Sequence, residues 1–122
     1  MLYVLTFGGD PITLEILPPS ETAAATAEVE AWWRHQRSSG KMLGGAQLMA
    51  PLTATTVRFD GCRSSIHDGT FTREELAIGG YGILEAADLD EALQVALSWP
   101  AGGYVEIRPL LLSSTSREVN AG

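Results

Sequence analysis

The chain has 122 residues, 45% of them hydrophobic and 19% charged, enough for one domain with a single core that needs neither disulfide staples nor a structural metal. A net charge of −7 with only eight Lys and Arg leaves no basic stripe to displace counterions from phosphates, which excludes nucleic acid and disfavours an anionic membrane surface as partners. The single cysteine, Cys62, excludes an intrachain disulfide and a zinc site.

Residues 2–7 (Leu-Tyr-Val-Leu-Thr-Phe) predict a first strand that stops at Gly8-Gly9-Asp10-Pro11. This apolar start is short, has no basic n-region and no small-residue cleavage site, so no signal peptide or membrane span is expected and the cytoplasm is the expected location. Residues 13–17 read as a short extended piece ended by Pro18-Pro19, and Ser20 is the expected N-cap of a helix with Glu21 in its first turn. Over residues 23–37 Ala25, Val29, Trp32, Trp33 and Gln36 recur at three and four residues, the stripe of a helix that covers a sheet, and Gly40 supplies a C′ residue. Residues 42–49 predict a second strand.

After Pro51 the run 53–59 is rich in β-branched residues. Asp60-Gly61 reads as a two-residue turn into 62–67, so 53–67 is expected to form an inserted β-hairpin. A turn at Asp68-Gly69-Thr70-Phe71 and a polar connector with Glu74 and Glu75 lead to a third core strand at 80–86. Asp88 then caps a helix in which Glu91 is placed to complete a capping box, and Leu89, Ala92, Leu93, Ala96 and Leu97 make its apolar stripe. Trp99-Pro100 stops that helix, residues 104–112 form the last strand, and 113–122 read as a flexible C-terminal tail.

The order predicts an α+β, ferredoxin-like βαββαβ domain over residues 1–112 with a hairpin inserted. Two helices cover one face of the sheet only. In the first strand neither Tyr3, Leu5 and Phe7 nor Leu2, Val4 and Thr6 form a set polar enough to face water. A second copy covering the other face is the economical solution, so a homodimer is expected, with a cavity between the two sheets.

From Ile66 to Leu110 the chain carries Asp68-Gly69-Thr70-Phe71, then Gly79-Gly80-Tyr81, then Asp88-Leu89-Asp90-Glu91-Ala92, then Val105-Glu106-Ile107-Arg108-Pro109. In this order and spacing it resembles the YCII-related proteins, specifically the branch named for its Asp-Gly-Pro-Phe (DGPF) motif. Gly44-Gly45 and the run 53–57 agree with that branch, and the resemblance covers residues 1–110. It implies a dimeric α+β barrel. Related small enzymes include muconolactone isomerase-like proteins, monooxygenases and a dehydrochlorinase. A His–Asp pair in a cleft is often invoked for the wider group, and genes of this branch often neighbour extracytoplasmic-function sigma factors. The chain departs from the pattern at Thr70, where relatives have proline, at Arg73, where they have an acid, and at Glu75, where they have lysine.

Asp68 at a cleft mouth is a candidate general base, or a residue that orients a histidine, but Asp before Gly also serves simply as a turn residue. His67 and His35 are the two histidines. His67 adjoins Asp68, but strand neighbours point to opposite faces, and His35 also reads as an ordinary solvated helix residue. Glu106 and Arg108 share a strand face, as an ion pair or as a receiver of a substrate carboxylate. Tyr81 offers a phenol to the same cavity, and Phe71 an aromatic wall. The expected ligand is therefore a small organic acid or aromatic compound, and no cofactor is expected. A non-enzymatic regulatory role, for example beside a sigma factor, is the alternative.

Overall fold

The computed structural model describes residues 1–9, 19–73 and 76–111. The extended piece expected at 13–17, the connector acids Glu74 and Glu75 and the tail at 113–122 lie outside the described residues, as does the side chain of Ser20.

Among the described residues six strands and two α-helices follow in the order β1 (Leu2–Gly8), α1 (Pro19–Ser38), β2 (Met42–Gln47), β3 (Thr55–Asp60), β4 (Arg63–Asp68), β5 (Ile78–Glu85), α2 (Leu89–Leu97) and β6 (Tyr104–Pro109). Four strands form one antiparallel sheet in the order β2-β5-β1-β6, and β3 pairs with β4 alone. Removing the hairpin leaves the ferredoxin-like βαββαβ pattern, in which each helix crosses between two strands separated by a third. The fold is α+β, as the sequence predicts.

The covered face of the sheet is decided by β1. Tyr3, Leu5 and Phe7 are buried, Leu5 completely. Strand register places Leu84, Gly82 and Gly80 beside them on β5, and Pro109, Ile107 and Val105 on β6. Onto this face α1 lays the stripe foreseen from its spacing: Trp32, Trp33 and Gln36 are buried, and Ala25 and Val29 half-buried. Phe7 sits at the middle of three indoles, with ring centroids 5.5 Å from Trp32, 5.6 Å from Trp33 and 4.3 Å from Trp99. The rings meet mostly edge to face, the arrangement their quadrupoles favour. Trp33 reaches the sheet because Gly82 lies beneath it; a Cβ there would meet Met42 Sδ at 2.8 Å and Trp33 Cη2 at 3.5 Å. The Trp32 indole N–H donates to Ser98 Oγ at 2.8 Å and ties α1 to the end of α2.

Helix α1 begins at Pro19, just ahead of the expected cap, and the chain leaves it through Gly40 at φ +79°. Asp88 caps α2 as expected, its Oδ1 accepting from the Glu91 N–H at 2.9 Å. Glu91 does not reach back to complete a capping box. Its carboxylate instead takes Lys41 Nζ at 3.0 Å, across to the start of β2. The stripe expected on α2 is also only partly right. Ala92 is fully buried and Val95 and Ala96 half-buried, but Leu89, Leu93 and Leu97 are exposed. The helix touches the sheet through its small residues because Trp32 and Trp99 already fill the space that larger side chains would need.

The strands end somewhat differently from their sequence limits. Pro51–Thr53 forms a 3-10 turn, β3 begins after it, and the two-residue hairpin loop is Gly61-Cys62, one position later than expected, because Asp60 pairs with Arg63.

Candidate functional site

Register across the sheet assembles its helix-free face from residues far apart in sequence. One row runs Ala46, Tyr81, Thr6, Glu106 across β2, β5, β1 and β6, and the next runs Gly44, Ile83, Val4, Arg108. Paired Cα atoms lie about 5 Å apart, so Tyr81 and Glu106 stand roughly 10 Å apart with Thr6 between them. A phenol, a hydroxyl, a carboxylate and a guanidinium therefore lie in two neighbouring rows of one face. Neither described helix covers it. Arg108 Nη2 donates to Glu106 Oε1 at 2.6 Å, and both side chains are largely exposed. In that setting the pair contributes at most about 1 kcal/mol to stability. The Arg108 guanidinium is a planar fork of donors, the kind of group that receives carboxylates through paired N–H bonds.

At the far end of β6, Tyr104 lies flat over Gly8, whose missing side chain makes room for the ring. Its hydroxyl donates to the Leu76 carbonyl at 2.8 Å. This bond holds the connector that follows the hairpin against the main sheet.

The remaining candidates are distributed. His35 lies on α1, the covered side of the sheet, and lines a groove of about 660 Å³ between the helices with Trp32, Gln36, Lys41, Gln94 and Val95. The sheet stands between it and Tyr81, Glu106 and Arg108. His67 and Asp68 end β4, and alternation turns them apart. His67 lies on the hairpin side of Thr56, Arg58 and Ser65, with its Nε2 2.9 Å from Ser65 Oγ. Asp68 lies beside Thr55 on the other side. Neither histidine is thus brought to Asp68 within one chain. Phe71 is exposed in the connector. Two residues earlier the backbone is held by Gly69, whose N–H donates to Ala54 O at 2.7 Å and whose carbonyl accepts from Thr56 Oγ1 at 2.7 Å. Thr70 makes a side-chain turn: its Oγ1 accepts from the Thr72 N–H at 3.3 Å and lies 3.1 Å from Thr72 Oγ1.

Sequence reasoning singled out Tyr81, Glu106 and Arg108 but not Thr6, which pairs with both Tyr81 and Glu106. Its place on the alternating side of β1 was the available signal; strand register was needed to set it between the other two. Among the described residues no group of three His, Cys, Asp or Glu side chains is placed to hold a metal ion, and no helix is long and apolar enough to cross a membrane.

A family model described as the YCII-related domain matches residues 1–111. The chain belongs to the YCII-related family. An uncharacterized protein of Rhizobium meliloti is 28% identical over 116 residues, spanning 92% of this YCII-related chain and 94% of that protein. Among solved structures, 5-chloro-2-hydroxyhydroquinone dehydrochlorinase from Burkholderia phenoliruptrix, in complex with 2,5-dihydroxybenzoquinone, superposes with a TM-score of 0.55. It shares 18% identity, over 94% of this chain and 98% of that one. At that identity the likeness is one of fold.

Proposed function

We propose that this YCII-related protein, read as a member of the Asp-Gly-Pro-Phe branch, is a homodimer that binds a small organic acid or phenolic ring on the helix-free face of its sheet. The observation that carries the reading is the pair of rows across that face. Arg108, pre-oriented by Glu106, receives an anionic oxygen. Tyr81 and Thr6 offer hydroxyl groups, and Ile83 and Val4 supply an apolar floor. A planar quinone or hydroxybenzoate matches this combination of one charge, several hydroxyls and a flat apolar body. The fold neighbour with a bound dihydroxybenzoquinone supports the choice of ligand class. Isomerisation or elimination on such a ligand requires a group that moves a proton. Within one chain, Glu106 is the carboxylate at the site, whereas Asp68, His67 and His35 stand elsewhere.

Thermal unfolding with 2,5-dihydroxybenzoquinone and with benzoate tests the reading. A ligand at ten times its Kd stabilises the folded state by about 1.4 kcal/mol, a rise of several degrees in Tm for a domain of this size. The rise should appear in the wild type and vanish in Arg108→Ala. Equal rises in both proteins would mean that the ligand sits away from this face.

A further inference from the structure

Helix α1 carries a second stripe beside the one that covers the sheet. Glu30, Trp33, Arg34, Arg37 and Ser38 recur at three and four residues, and with Gln47 of β2 they line a groove of about 660 Å³. Register puts Gly45 and Gln47 on the helix-covered side, beside Gly82 and Gly80. The sheet therefore stands between this groove and Arg108. Trp33 is the buried member of the groove, and it fits because Gly45, at φ +136°, has no side chain. A Cβ there would meet Trp33 Cη2 at 3.1 Å.

The polar groups of this groove are mostly donors. The Trp33 indole N–H is buried and has no acceptor among the described residues, whereas the Trp32 N–H is bonded to Ser98. A buried donor without a partner is rare in a folded protein and calls for an acceptor from outside the chain. Arg37 lies over the Trp33 ring, its Cζ 5.5 Å from the centroid, and reaches the Gly45 carbonyl at 3.5 Å. Arg34, one turn earlier and exposed, forms no ion pair among the described residues. Glu30 is the one acid of the groove, and it bridges to neither guanidinium.

We propose that this groove binds the phosphate of a small phosphate monoester, held between Arg34 and Arg37, with the Trp33 N–H and the Gln47 amide as further donors. The inference stands apart from the ligand reading of the helix-free face. Two guanidinium groups one helical turn apart suit a dianion whose oxygens accept paired N–H bonds from both forks. A carboxylate has two oxygens, enough for one fork; a phosphate has oxygens left for the indole and the amide. In a chain of net charge −7, two cations against one acid also make this groove a local attractor for an anion. Its volume suits a small molecule.

Titration with inorganic phosphate, followed through the indole N–H signals in a proton–nitrogen NMR spectrum, tests the site. Trp33→Phe assigns the Trp33 signal. The expected result is a saturable shift of that signal, with the Trp32 signal, already bonded to Ser98, moving little. A Trp33 signal that phosphate leaves unmoved, or that sodium chloride at equal ionic strength moves as far, overturns the proposal. Arg34→Gln/Arg37→Gln should weaken phosphate binding roughly tenfold or more. Arg34→Gln alone, which leaves Arg37 stacked on Trp33, should already weaken it. Unchanged affinity in the double variant overturns the groove. Arg108→Ala should bind phosphate as the wild type does, and loss of binding there would put the phosphate on the helix-free face instead. Benzoate that moves the Trp33 signal as readily as phosphate does would overturn the ligand class.

Discussion

The two faces of the four-stranded sheet are made by the same strands, yet one is closed and the other open. On the closed face Tyr3, Leu5, Phe7 and Leu84 meet two helices and three indoles and lose nearly all contact with water. On the open face Thr6, Tyr81 and Glu106 stand in one row and Arg108 in the next, with neither described helix above them. The contrast separates the face that stabilises the fold from the face that keeps its polar groups in water. Buried apolar area, at roughly 25 cal/mol per Å², holds the domain together from one side. The other side is left free to carry chemistry that would be costly to bury unpaired.

The largest expected effect is therefore on the closed face. Phe7→Ala removes the ring at the centre of the indoles and should cost about 3–5 kcal/mol, a large part of the 5–15 kcal/mol typical of a domain, read as a drop in the urea midpoint. Gly82→Val is next. Its side chain would press on Met42 and Trp33, and overpacking of this kind costs about 1–3 kcal/mol. A midpoint unchanged by this substitution would show that Trp33 does not need the glycine. Asp88→Ala should remove about 1 kcal/mol by leaving the Glu91 N–H without its cap, while Asp88→Asn, which still accepts, should retain most of it. Arg108→Ala should change stability by no more than about 1 kcal/mol while abolishing the ligand-induced rise in Tm. A large loss of stability would move Arg108 from the open face to the structural side of the comparison. Leu97→Ser is the smallest. At 77% exposure it should shift the midpoint by less than about 0.5 kcal/mol, and a larger shift would show that the outer row of α2 is covered in solution.

The two helices show how far sequence periodicity reaches. Ala25, Val29, Trp32, Trp33 and Gln36 announced the buried side of α1 because its large side chains all lie on one stripe. In α2 the stripe misled. Leu89, Leu93 and Leu97 are the most hydrophobic residues of the helix, yet small Ala92 is the one fully buried. The space above the sheet was already taken by Trp32 and Trp99, and a competition for volume between distant residues leaves no mark on local spacing. The candidate site divides in the same way. Glu106 and Arg108 could be paired from a two-residue spacing on one strand, and the opposed directions of His67 and Asp68 followed from alternation. That Thr6 stands between Tyr81 and Glu106, and that His35 is screened from them by the sheet, could not.

By itself, the sequence determined the order of strands and helices, the cap at Asp88, the hairpin and the family pattern, because each depends on turn chemistry or side-chain period within a dozen residues. Only the tertiary structure decided which residues share a face across the strands, which leucines stay in water and that the hairpin forms a sheet of its own, because register and packing are set by side chains that meet across the whole length of the chain.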